Sequence, residues 1–429
     1  MAKGVAHRPA STEEAPGSAP ALETGGGWRM GLPLFVSRVG SAGLLFVANV
    51  YLAQALGPRE FGRYALAVSF LSFMSLFLDL GHFSAGARLL SQVDGHRAEA
   101  RGLVGALSLV LLLVGLLFLI FVGASSLVVD GLFTGNLSGL LGRVLPLAPA
   151  LTCPLLMEQV LKALDRPRLL AAWSVASRGA FVVALAALSI AGSLDALGAT
   201  RAYLAGILMA TLAVLPLLRP TLRNWRSCLQ KIHAEHLQFG RPLYAGRLAN
   251  LVSYRTDTLL LGFFRDPAAV GQYSLAMSVA NLLAFYSTSL AATHFRQLGQ
   301  QAAVPQGLLR TNALGLTLLG ALGIVCGELI LLTYLGSAYS VAAWILVPCV
   351  AAVALQGCYQ PYNSWLLAHG YGRELASFLF VVAVINICAN LVLIPTAGAA
   401  GAAVASIIGM GAYFLLARRE VRRLVTGPS

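Results

Sequence analysis

Apolar residues run on without interruption through most of this chain, and polar residues fall in short clusters between the runs. The pattern is neither the alternation of a barrel strand nor the one-sided stripe of a soluble helix. In hydrocarbon a backbone must satisfy its own hydrogen bonds, so runs of this length predict transmembrane helices. At about 20 residues per crossing they divide into twelve: 32–56, 64–83, 103–124, 144–161, 169–191, 202–218, 243–264, 270–292, 308–332, 341–367, 375–394 and 399–416. Pro146, Pro149 and Pro154 predict a bend or break in the fourth. The fold class expected is therefore an all-α polytopic membrane protein.

Residues 1–30 are rich in Pro, Gly, Ala, Ser and Glu and predict a disordered tail. No apolar segment follows a basic start there, so no signal peptide is expected. Segments 219–241 and 417–429 are basic and predict a linker and a second tail. They leave two lobes of six helices each, 31–218 and 242–416.

Composition agrees with this reading. Of 429 residues 58% are hydrophobic and 11% charged, too few charges to cover a soluble protein of this size, where about 25% is usual. The net charge of +13 needs no nucleic acid, because its distribution follows the membrane. With the N-terminus inside, 21 of the 30 Lys and Arg fall on the cytoplasmic side, 5 opposite and 4 within spans. That bias predicts both termini in the cytoplasm, and anionic lipid is partner enough for the basic segments. The six cysteines form no CxxC pair and predict neither a disulfide framework nor a metal site.

The chain repeats itself. Gly62-Arg63-Tyr64-Ala65-Leu66-Ala67-Val68-Ser69 is matched at five of eight positions by Gly271-Gln272-Tyr273-Ser274-Leu275-Ala276-Met277-Ser278, 209 residues on. Gly198 to Gly206 is echoed by Gly401 to Gly409, 203 residues on. Two lobes of six helices stand the same way up, related by a pseudo-twofold axis along the membrane normal, an arrangement suited to alternating access. Gly401, Ala405 and Gly409 form a small-residue packing face. Tyr64 and Tyr273 are expected at the outer interface as aromatic anchors.

Leu56-Gly57-Pro58-Arg59-Glu60-Phe61-Gly62-Arg63-Tyr64, Leu78-Asp79-Leu80-Gly81 with Arg88 beyond it, and Asp257-Thr258-Leu259-Leu260-Leu261-Gly262 followed by Val270-Gly271-Gln272-Tyr273-Ser274 resemble Wzx-type polysaccharide flippases. The resemblance covers roughly residues 32–416. It departs in the long N-terminal tail and in the absence of an arginine after Asp257. It implies a flippase of the multidrug/oligosaccharidyl-lipid/polysaccharide (MOP) export superfamily, moving undecaprenyl-diphosphate-linked oligosaccharide repeat units across the bacterial inner membrane for O-antigen or exopolysaccharide synthesis. Polymerase and chain-length proteins of that pathway are the implied protein partners.

A diphosphate-linked glycan needs a cationic path, and arginine can grip a phosphate with two hydrogen bonds. Arg38, Arg178, Arg247 and Arg255 lie within spans and are the candidate cavity residues. Charges at membrane depth usually face protein or water. Glu158, Asp257 and Glu328 are the acids at depth and the candidates for carrying a coupling proton or sodium ion. No enzymatic motif emerges: His233-Ala234-Glu235-His236 lacks the spacing of a zinc protease helix, and no cofactor or metal is called for. Two alternatives remain open, an ion-coupled multidrug antiporter of the same superfamily and a membrane glycan polymerase or ligase. The second would need a large loop outside the membrane, which this chain lacks.

Overall fold

The computed structural model describes residues 27–426 apart from 79, 94–96, 134–135, 241–243 and 245–255, with side chains from residue 39 onward. Among these residues the structure is helical throughout, and nine helical segments are long and apolar enough to cross a membrane. The count of crossings is higher, because two segments turn back on themselves. Helix α1 (Gly27–Leu76) reverses at Gly57, where φ is 72° and ψ 172°. Only glycine adopts that backbone cheaply, and Pro58 behind it withholds a helical N–H. The last helix reverses in the same way at Gly398, with φ 57°. A further helix covers 256–264, and residues 245–255 before it lie outside the description. The architecture is twelve transmembrane helices in two six-helix lobes.

The first lobe continues with α2 (His82–Gln92), α3 (Arg97–Ser126), α4 (Leu137–Val144), α5 (Cys153–Ala163), α6 (Pro167–Ile190) and α7 (Ala196–Val214). The prolines do break the fourth crossing: a tighter 3₁₀ stretch, Leu145–Thr152, separates α4 from α5. The second crossing stops at Leu76, short of the expected residue 83, because Leu80 and Gly81 both take left-handed backbone. Helix already begins at Gly27, inside the segment read as a tail; residues 1–26 lie outside the description.

The linker is not an open coil. It folds as α8 (Trp225–Glu235) and docks on α2 and α3. Thr221 N–H donates to Arg101 O at 3.1 Å, Lys231 pairs with Glu99 at 2.6 Å and Arg88 with Glu235 at 2.7 Å. The His82 and His236 rings stack 3.9 Å apart. These exposed ion pairs stabilise little individually; the close fit of Cys228 against Gly102 and of Thr221 against Gly105 seats the helix.

The second lobe follows with α9 (256–264), α10 (Pro267–Ala280), α11 (Leu282–Thr293), α12 (Phe295–Gln300), α13 (Gln306–Leu329), α14 (Ser340–Ala368) and α15 (Gly372–Thr426). Gly401, Ala405 and Gly409 are buried along α15, as their spacing predicts.

The lobes meet at the end carrying Gly57 and Gly398, here called the kink end; the end carrying α8 is the linker end. Repeat-related glycines face each other there. A Cβ on Gly62 would lie 1.7 Å from Pro267 O, and one on Gly271 would lie 2.3 Å from Pro58 O. The Tyr339 hydroxyl, fully buried, crosses the interface and donates to Ala53 O at 2.9 Å. Tyr339→Phe is expected to lower stability by about 1 kcal/mol, the usual net value of such a bond; thermal unfolding of the purified protein in detergent checks this.

Candidate functional site

A cavity of about 410 Å³ lies between the lobes, within the range of small-molecule sites. Its first-lobe wall comes from α1 and α7, its second from α9, α10, α14 and α15. The repeat explains the symmetry of the lining. Tyr64 and Tyr203 on one side correspond by the two sequence offsets to Tyr273 and Ser406 on the other, and all four line the cavity. This corrects the expectation for the two repeat tyrosines. Tyr64 and Tyr273 are buried in the wall between the lobes, not anchored at the membrane surface. Tyr64 packs against Phe61, Phe181 and Tyr203 of its own lobe, and the Tyr273 hydroxyl is held by Asp257, which is why neither reaches the membrane surface.

The rest of the lining mixes neutral polar groups, Asn49, Ser69, Thr258, Ser274, Ser278, Asn281 and Gln356, with apolar side chains such as Leu45, Phe61, Val68 and Met277. Asn49 Nδ2 donates to Ser278 Oγ at 3.2 Å, bridging the lobes. These groups can donate to and accept from hydroxyls, and the tyrosine rings add flat apolar faces.

Asp257 is the one charged side chain among the described lining residues. Its carboxylate is buried and accepts from Asn390 Nδ2 at 2.6 Å, Ser406 Oγ at 2.6 Å and Tyr273 Oη at 3.1 Å. Asn390 also donates to Asn386 Oδ1 at 3.0 Å, while its own Oδ1 is buried with no hydrogen-bond partner among the described residues. No Lys, Arg or His among those residues pairs with Asp257. Three neutral donors offset part of the cost of burying the charge. A proton or a small cation would offset the remainder.

The other predicted residues stand apart from this cluster. Arg178 is partly buried midway along α6, one side chain behind the wall, its guanidinium 5.2 Å from the Tyr203 ring. Its Nη1 is buried without a hydrogen-bond partner among the described residues. Glu158 is exposed near the linker end and pairs with Lys162 at 3.1 Å, one helical turn on. Glu328 sits half-buried in the last turn of α13, toward the kink end. Arg247 and Arg255 lie outside the described residues, as does Asp79, and of Arg38 only the helical backbone is described. Sequence reading missed Asn386, Asn390 and Ser406, although Asn386 and Asn390 stand four apart, on one helix face.

Two six-helix lobes around a central cavity are the fold seen in solved transporters of the MOP superfamily. Solved structures with the same fold include a multidrug-resistance MATE transporter in its inward-facing conformation, at TM-score 0.66 and 14% identity, covering 94% of this chain and 99% of that one. They also include the lipid II flippase MurJ in an inward closed conformation, at TM-score 0.65 and 15% identity, covering 92% and 87%. The outward-facing conformation of a MATE transporter fits less closely, at TM-score 0.57. The chain belongs to the family described as "Polysaccharide biosynthesis protein", whose profile matches residues 28–295. It is 24% identical over 405 residues to the probable low-salt glycan biosynthesis flippase Agl15 of Haloferax volcanii, covering 90% of this chain and 82% of the relative. The family and the solved structures are those of transporters and flippases, not of enzymes.

Proposed function

We propose that this protein flips a lipid-linked oligosaccharide, an undecaprenyl-diphosphate-linked repeat unit, across the bacterial inner membrane. The supporting observation is the cavity itself. Its polar lining groups are hydroxyls, carboxamides and tyrosines, which suit a glycan, and glycine contacts bring the lobes together at the kink end. The charge bias supports a cytoplasmic linker end and cytoplasmic termini, and in that orientation this conformer would receive its cargo from the cytoplasm. Arg178, with Arg38, Arg247 and Arg255, supplies the cationic character that a diphosphate requires. Asp257 is the proposed coupling group, taking up a proton or sodium ion as the lobes exchange conformations. Polymerase and chain-length proteins would receive the flipped unit.

The test is a gene deletion followed by leaflet-resolved extraction of polyprenyl-diphosphate-linked sugars. Complete units are expected to accumulate on the cytoplasmic leaflet, and wild-type protein to clear them. One observation favours a second reading: the only charge described on the cavity wall is negative, which suits a cationic drug and an antiporter. Normal lipid-linked sugars with new sensitivity to cationic drugs would overturn the flippase reading in its favour.

A further inference from the structure

A second pocket, of about 600 Å³, opens at the linker end of the first lobe and shares no lining residue with the cavity between the lobes. Four arginines line it: Arg97, Arg101, Arg166 and Arg219. They come from three places. Arg97 and Arg101 lie on one face of the first turns of α3, Arg166 immediately precedes α6, and Arg219 follows the end of the seventh helix. The positive ends of α3 and α6 meet the negative ends of α5 and of the 3₁₀ turn that continues α7 at this recess, so the helix dipoles largely offset and the side-chain charges decide its preference.

No acid lines the pocket among the described residues. None of the four guanidinium groups is in a hydrogen bond or ion pair among the described residues. The nearby Glu99 is taken by Lys231. Arg219 also holds a left-handed backbone, φ 50° and ψ 55°, where glycine would be the unstrained choice. The positive-inside bias accounts for arginines at this end of the molecule. It does not account for four of them converging on one recess with no counter-charge among the described residues, because like charges gathered in one place repel.

We propose that this pocket binds a phosphate-bearing anion, at a site separate from the transport cavity. Arginine forks match phosphate oxygens in pairs, and basic recesses between helices near the cytoplasmic surface take acidic lipid headgroups. Val104 and Leu217 on the same wall offer an apolar border to the start of an acyl chain. The shared chemistry is the phosphate; its source is the headgroup of an acidic phospholipid or a soluble diphosphate. The proposal does not depend on which cargo the central cavity carries.

The full chain, purified in detergent, is titrated with sodium pyrophosphate. Separately it is placed in nanodiscs of phosphatidylcholine with and without phosphatidylglycerol, and retained lipid is counted by native mass spectrometry. Arg97→Gln with Arg166→Gln removes two exposed members of the set. This variant is expected to melt like wild type without a probe and to bind at least one probe about tenfold more weakly. Arg419→Gln with Arg422→Gln, equally exposed at the far C-terminal helix, is expected to leave binding unchanged. A response to phosphatidylglycerol alone identifies a lipid headgroup, and a response to pyrophosphate a soluble phosphate. Unchanged binding of both probes by the pocket variant would overturn the proposal. So would an equal loss in the C-terminal variant, which would reduce the effect to general surface charge.

Discussion

Asp257→Asn is expected to abolish gradient-driven transport in reconstituted vesicles, by a hundredfold or more, while the protein remains folded. The carboxylate is buried, has no cationic partner among the described residues, and is held by three neutral donors. An isolated charge in this setting costs several kcal/mol even after relaxation. Asn390 Oδ1, on the side chain that donates to Asp257, is a second buried acceptor with no hydrogen-bond partner among the described residues. Asparagine keeps the shape and one acceptor oxygen, and the Ser406 and Tyr273 hydroxyls can rotate to accept from its amide. The fold should therefore lose little, whereas the site loses the charge that draws a cation or holds a proton. Asp257→Ala is the harsher change, because it strands three buried donors at about 1–3 kcal/mol each. A thermal-shift series separates the ions. Sodium that raises the melting temperature of wild type but not of Asp257→Asn identifies sodium as the coupling ion. A sodium-blind protein whose transport follows the proton gradient identifies the proton. Undiminished gradient-dependent transport by Asp257→Asn would sink the coupling role.

Asp257 could be picked out in the sequence because a charge in an apolar run is expensive and so draws notice. Its partners could not. Asn386, Asn390 and Ser406 are neutral, and a neutral polar residue in a transmembrane helix raises no comparable alarm. Their shared target became visible only when helices α9 and α15, distant in sequence, were brought side by side. Glu158 drew notice for the same reason as Asp257, yet it stands four residues from Lys162 near a helix end and pairs with it on the surface. The twelve crossings and the repeat were legible because hydrophobic length and internal identity are properties of the chain itself. The recess formed by Arg97, Arg101, Arg166 and Arg219 was not, since its members are scattered over more than a hundred residues and each alone reads as a topology signal.

The repeat glycines carry the second large effect. Gly62→Ala and Gly271→Ala are each expected to open the kink end and to stop productive cycling. The octets match at this glycine because the pseudo-twofold sets the two copies against each other. A Cβ on Gly62 would lie 1.7 Å from Pro267 O and 2.9 Å from Gly271 N, and a Cβ on Gly271 2.3 Å from Pro58 O. Real Cβ atoms essentially never approach within 3.0 Å, and the obstructing atoms are backbone, so no side chain can turn aside. The lobes must part, and overpacking of this kind costs about 1–3 kcal/mol or more. Conformers of an alternating-access protein differ by only a few kcal/mol, so a penalty confined to one of them moves most of the population to the other. Gly43→Ala is the control, on the same helix, where an added methyl meets nothing within 4 Å. In a background with the six native cysteines replaced, Ser274→Cys reports on the cavity wall. Labelling by an impermeant maleimide from the kink side should rise at least tenfold in Gly62→Ala and Gly271→Ala and stay at the parental rate in Gly43→Ala. Rates indistinguishable among the three, with transport intact, would mean that contact at these glycines does not close the kink end. The stronger clash is at Gly62, so Gly62→Ala should also label faster than Gly271→Ala, an ordering that follows from the backbone distances and that nonspecific destabilisation would not reproduce.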